Sequence, residues 1–121
     1  MILVDTSVWV DHLHNNNAEL SKLLSQNEVC IHPWIIGELA CGNLKNRAQL
    51  LELLGALTAS PVVEHDEVLF MIERYELMGR GIGYIDAHLL ASTMLGKATL
   101  LWTLDKTLMQ IAGELNLAYR S

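Results

Sequence analysis

Four carboxylates in apolar surroundings define the chemistry open to this chain. Asp5 ends the run Ile2-Leu3-Val4, and Glu38 lies within Ile35-Ile36-Gly37-Glu38-Leu39-Ala40. Asp86 lies within Gly83-Tyr84-Ile85-Asp86-Ala87, and Asp105 closes Leu100-Leu101-Trp102-Thr103-Leu104-Asp105. Burying an unpaired carboxylate is costly, and the eight Lys and Arg are too few to neutralise four of them. If the four meet in the fold, they need a cation. An all-oxygen donor set selects a hard divalent ion, magnesium or manganese, and such ions do chemistry on phosphates.

Alternating strands and helices must position these acids. Residues 1–4 read as a buried strand, continuous and apolar rather than alternating. Residues 8–13 read as a short helix, stopped by Asn15-Asn16-Asn17. A second helix runs from Ala18 to about Gln26, and a strand covers residues 28–31. His32-Pro33 opens a helix that reaches Cys41, before Gly42 and Asn43. Leu50, Leu51, Leu53, Leu54 and Leu57 give residues 47–57 a broad apolar stripe. Val62-Val63 is a candidate third strand after Pro61, with helices expected over residues 66–78 and 84–95. A strand at residues 99–102, a helix at 106–115 and an edge strand at 117–119 complete the chain. This alternation predicts an α/β domain with a mainly parallel central sheet flanked by helices. Ligands in such sheets gather beyond the carboxyl ends of the strands, where Asp5 and Asp105 both fall.

Composition narrows the classes further. At 121 residues, 51% of them hydrophobic, the chain is expected to form a single ordered domain. No apolar run approaches the roughly 18–20 residues of a membrane span, and the N-terminus lacks signal-peptide features. The expected location is cytoplasmic, with no membrane partner. Two cysteines, Cys30 and Cys41, cannot make a disulfide scaffold; without a CxxC pair they read as buried thiols rather than zinc ligands with His32. The net charge of −6 includes the four acids, without which −2 remains. A nucleic-acid substrate is therefore compatible, held by metal and a few local cations rather than by a basic face.

The ordered set Val4-Asp5-Thr6-Ser7-Val8-Trp9, Gly37-Glu38-Leu39, Ile85-Asp86-Ala87-His88-Leu89-Leu90-Ala91 and Trp102-Thr103-Leu104-Asp105-Lys106 resembles the PIN-domain ribonucleases, and among them the VapC-type toxins of toxin–antitoxin pairs. The resemblance covers essentially the whole chain, residues 1–121, as a single PIN domain. It implies a Rossmann-like three-layer fold and a magnesium- or manganese-dependent endoribonuclease. Its acidic quartet would be Asp5, Glu38, Asp86 and Asp105, with Asp5 and Asp86 as the main direct ligands. Glu38 and Asp105 would act through waters, and Glu38 could also orient or deprotonate the attacking water. Thr6, Ser7 and Thr103 are candidate donors to metal-bound water or phosphate, and Arg80 a candidate phosphate contact. Water-driven hydrolysis would leave a 5′-phosphate and a 3′-hydroxyl. The resemblance further implies an RNA substrate, a homodimer, and a small VapB-like antitoxin that blocks the acidic pocket with a basic side chain. The apolar stripe of residues 50–57, with the second helix, is a candidate surface for either partner. One departure is Lys106-Thr107, where a second basic residue often follows; this thins the cationic rim.

Simpler readings compete at each position. Asp105 suits a helix N-cap, and Asp86 suits the positive end of a helix. Glu38 and Asp5 have no such ready structural role. Gly79, Gly81 and Gly83 mimic a phosphate loop, but no strand precedes them and the lysine is missing. His12 and His14 are expected in solvent and His88 on a helix surface, whereas Trp9, Trp34 and Trp102 suit a core or a dimer interface, with base stacking as the minor reading. A haloacid-dehalogenase-type phosphatase would need a second Asp at position 7, where Ser7 stands. A non-toxin PIN nuclease of RNA processing and a catalytically silent interaction module are also compatible with the chain.

Overall fold

A computed structural model describes residues 1–120. Strands of two or three residues alternate with longer helices: β1 Ile2–Val4, α1 Thr6–Asn15, α2 Ala18–Ser25, β2 Val29–Ile31, α3 Pro33–Ala40, α4 Arg47–Gly55 and β3 Thr58–Ala59. The chain continues through α5 His65–Arg74, α6 Tyr84–Leu95, β4 Leu100–Trp102 and α7 Lys106–Glu114. The four strands form one wholly parallel sheet in the order β3-β2-β1-β4. Ile2 registers with both Val29 and Leu100, and Val4 with Trp102.

That order explains why the N-terminal residues are so apolar. β1 is paired on both edges and covered on both faces, leaving Leu3 and Val4 with no solvent exposure. The chain moves outward from β1 to β2 and β3, then returns to place β4 on β1's other side. β1 and β4 therefore flank the switch point, beyond whose carboxyl ends a crevice opens. The backbone N–H of Asp5 donates to Trp102 O at 2.9 Å, carrying the ladder to the mouth of that crevice.

Local signals set the helix ends. Asn16 stops α1 in a left-handed conformation (φ 56°), and the Asn17 side chain accepts from Leu20 N–H to start α2. At α3, Pro33 takes the first position and His32 Nδ1 accepts from Trp34 N–H at 3.0 Å. Arg47 reaches back to the carbonyls of Ala40 and Gly42, satisfying the open end of α3.

Several expectations are corrected. The third strand is Thr58–Ala59, before Pro61; Val62-Val63 is non-strand, with Val62 exposed and Val63 turned into the core. α1 begins two residues earlier than the apolar pattern suggested, because Asp5 caps it at Thr6. α5 stops at Arg74, and Glu76 takes a positive φ of 52°. Residues 117–119 contribute a single parallel bridge, Ala118 to Leu101, instead of a strand. Cys30 is buried as expected, but Cys41 is exposed just past α3. The leucine stripe divides: Leu54 enters the core while Leu53 is 59% exposed. No helix among the described residues is long and apolar enough to cross a membrane.

Candidate metal centre

Each acid stands at a helix end or on a helix beside the crevice. Asp5 is the N-cap of α1 and is buried, at 7% exposure. Its Oδ1 accepts from Thr6 N–H at 2.8 Å, and its Oδ2 from the hydroxyls of Ser7 (2.9 Å) and Thr103 (2.7 Å). Those two hydroxyls also bind the loop after β4: Ser7 Oγ accepts from Leu104 N–H, and Thr103 Oγ1 from Asp105 N–H, both at 3.0 Å. A hydroxyl has one proton, and both are directed at Asp5, so the 3.3 Å approach of Ser7 Oγ to Thr103 Oγ1 is a contact between acceptors. The start of α1 is thereby stitched to the end of β4 through a single carboxylate.

The other acids are tied more lightly. Glu38, exposed on α3, accepts from the Thr6 hydroxyl at 2.7 Å. Asp105 caps α7, with Oδ1 accepting from Leu108 N–H at 2.9 Å. Asp86 Oδ2 accepts from Gly83 N–H at 3.0 Å at the start of α6. These bonds leave Glu38 Oε2, Asp86 Oδ1 and Asp105 Oδ2 for other work. The bland roles foreseen for Asp86 and Asp105 are thus real, yet each engages only one oxygen.

Electrostatics shows that the four acids share a neighbourhood. The Asp86 carboxyl is held above the usual carboxylate range, first by desolvation and then by the charges of Asp5, Asp105 and Glu38, against the Gly83 bond that opposes the rise. No Lys or Arg neutralises them: among the described residues the ion pair within 4.0 Å is Arg80–Glu114, at 2.8 Å. The Arg80 guanidinium grips both oxygens of Glu114 on α7.

Among the described residues, no three Asp, Glu, His or Cys side chains stand close enough to hold one ion entirely by direct contacts. The free donors are all carboxylate oxygens, a set that fits a hard ion keeping several waters and taking one or two carboxylates, as magnesium does. Asp5, whose orientation is fixed by three donors, and Asp86, with a free Oδ1, are the residues that could take such an ion.

Sequence reasoning missed the histidines. His88, expected on a surface, is buried at 4% exposure, and His32 is fully buried. Their ring centroids lie 6.1 Å apart, His32 capping α3 and His88 standing on α6. Burial and the neighbouring His88 lower the His32 imidazole to about 4, and burial, with the charge of His65, also lowers His88. The apolar company of His88 in Ile85-Asp86-Ala87-His88-Leu89-Leu90 was the signal that pointed inward. The tryptophans also divide: Trp9 and Trp102 are core residues, whereas Trp34 is 47% exposed.

A wholly parallel sheet with clustered, unneutralised carboxylates at its switch point defines the class, a Rossmann-like α/β domain with an acidic crevice. A PIN domain family model matches residues 2–114. The chain is 48% identical over 118 residues to Ribonuclease VapC32 of Mycobacterium tuberculosis, in two strains, covering 98% of this chain and 95% of that protein. It thus belongs to the PIN-domain family, in its VapC-type branch. The crystal structure of PAE2754 from Pyrobaculum aerophilum has a similar fold, with a TM-score of 0.62 at 19% identity over 91% of this chain and 83% of that one.

Proposed function

We propose that the protein is a magnesium- or manganese-dependent endoribonuclease, the toxin of a VapBC-type toxin–antitoxin pair acting in the cytoplasm. The observation that carries the reading is the convergence of three carboxylates, Asp5, Glu38 and Asp105, on a fourth, Asp86, with no basic partner. The relative named as a ribonuclease, nearly half identical along almost the whole chain, supports RNA as the substrate.

In this reading Asp5 and Asp86 would hold the ion directly, and Glu38 and Asp105 would act through waters. A bound divalent ion supplies a more acidic water and positive charge for the phosphate oxygens. Glu38, exposed and steadied by Thr6, orients the attacking water and takes its proton. Ser7 and Thr103 keep Asp5 in place while the loop after β4 brings Asp105 alongside. Hydrolysis then leaves a 5′-phosphate and a 3′-hydroxyl.

An antitoxin needs an apolar seat that ends at the acids. A groove of about 550 Å³ fits, running from Thr6 and Glu38 past Val10, Leu13 and Leu39 to Leu50. A partner segment lying there would bring a basic side chain within reach of the quartet. The protein is expected to act as a homodimer, as its family resemblance implies.

The test is Asp5→Asn. The variant should remain folded by circular dichroism and lose magnesium-dependent cleavage of RNA by at least roughly 100-fold. Full cleavage by this variant, or cleavage by the wild type in EDTA, refutes the assignment.

A further inference from the structure

Trp34 lies on α3 one turn before Glu38, and Tyr84 begins α6 two residues before Asp86. Each is nearly half exposed, at 47% and 45%. Both rings stand edge-on to the buried His88 imidazole, with centroids 6.0 Å from it for Trp34 and 4.6 Å for Tyr84. The Tyr84 hydroxyl is further tied to His65 Nδ1. Two large rings are thus fixed on a common support while much of their surface faces solvent, and they share their helices with two acids of the centre.

The charge distribution says what such rings would hold. The chain carries a net −6, Arg80 is committed to Glu114, and Arg47 to the end of α3. With a net negative charge and these two arginines engaged, the described residues present no broad basic face to grip phosphates beyond the one held at the centre. That leaves the bases as the handle on a single strand. Stacking on an aromatic ring strengthens binding by roughly 10- to 100-fold per base and tolerates any base. We propose that Trp34 and Tyr84 form a stacking platform for an unpaired base of the RNA strand beside the phosphate held at the acidic centre. They are positioning residues in this role, which rests on the nuclease reading above.

The test uses the full chain and a fluorescein-labelled 12-nucleotide single-stranded RNA of mixed sequence. Binding is read by anisotropy in calcium, and cleavage separately in magnesium. Trp34→Ala and Tyr84→Leu should each raise Kd and KM about 10-fold or more, with kcat within about 2-fold, and Trp34→Phe should restore most of the loss. An abasic residue beside the cut, or at successive positions if nothing is cut, should weaken binding to the wild type but not to Trp34→Ala. Unchanged Kd in Trp34→Ala, or equal sensitivity of both proteins to the abasic residue, overturns the platform. So does a dimer-to-monomer change in sedimentation caused by Trp34→Ala, which would make the patch a self-interface. Binding without cleavage by the wild type overturns the nuclease reading alone, leaving the abasic comparison to judge the platform. No binding by the wild type overturns the platform.

Discussion

Replacing Thr103 by Val isolates the stitch between α1 and β4. Valine matches threonine in shape, so no cavity opens at this buried position, and only the hydroxyl is lost. That hydroxyl donates to the buried Asp5 carboxylate at 2.7 Å and accepts from Asp105 N–H. A hydrogen bond to a charged group contributes about 1.5–3 kcal/mol, and the stranded amide adds about 1 kcal/mol. The expected loss is therefore about 2.5–4 kcal/mol. For 121 residues, each kcal/mol corresponds to roughly 4 °C, so Tm should fall by about 10–16 °C. Cleavage should fall too, by about 10- to 100-fold, because Asp5 loses one of the donors that orient it. Thermal melts and initial rates on RNA measure the two effects, and Thr103→Ser should keep both properties. In an Asp5→Asn background the stability cost of Thr103→Val should shrink, since the charge-assisted part is already gone. A Tm change below about 2 °C with an unaltered rate would refute the argument.

Two further perturbations follow from the buried titratable groups. The folded state holds Asp86's proton more tightly than the unfolded chain does, so ionised Asp86 destabilises the fold increasingly as pH rises above its ordinary value of 3.8. Asp86→Asn should therefore melt higher than the wild type at pH 7 in EDTA, match it below pH 3.8, and lose the stabilisation that magnesium gives the wild type; equal melting temperatures at pH 7 would count against this. His32 has the opposite sign of dependence. Its imidazole falls from 6.5 to about 4, so its contribution is present above 6.5 and lost as pH drops toward 4, by up to about 3 kcal/mol. His32→Asn retains an acceptor for Trp34 N–H and should flatten the wild-type decline in Tm between pH 6.5 and 4; parallel curves would dismiss the idea.

The unbroken apolar run Ile2-Leu3-Val4 announced a strand buried on both faces, and it proved to be a central one. Pro33 and the asparagines after α1 marked helix limits correctly, because the backbone preferences of those residues are local. The third strand escaped because two residues carry too little pattern, and β-branched Val62-Val63 outweighed Thr58-Ala59. Glu38 and Asp5 stood out as acids in apolar sequence, whereas the dual roles of Asp86 and Asp105 could be separated only by seeing which oxygens their caps engage. The hydroxyl stitch was invisible for a different reason. Ser7 and Thr103 are unremarkable residues whose meaning depends on β1 and β4 being neighbours. Likewise, the sequence put His88 on a helix but could not say that His32 and Trp34 at the start of α3 would pack against it.

The bond between Thr103 and Asp5 joins residues 98 positions apart, so the centre belongs to no shorter piece of the chain. A ribosome adding roughly 5–20 residues per second makes Asp5 some 5–20 s before its partner hydroxyl. Through that interval β1 lacks β4, its neighbour on one side, and the first carboxylate has no fixed direction. A growing chain therefore lacks the assembled centre until β4 has been made, and the four acids come together in one late step with closure of the sheet. Fragments ending between residues 86 and 100 carry three of the four acids but lack Thr103, β4 and Asp105, which complete the centre.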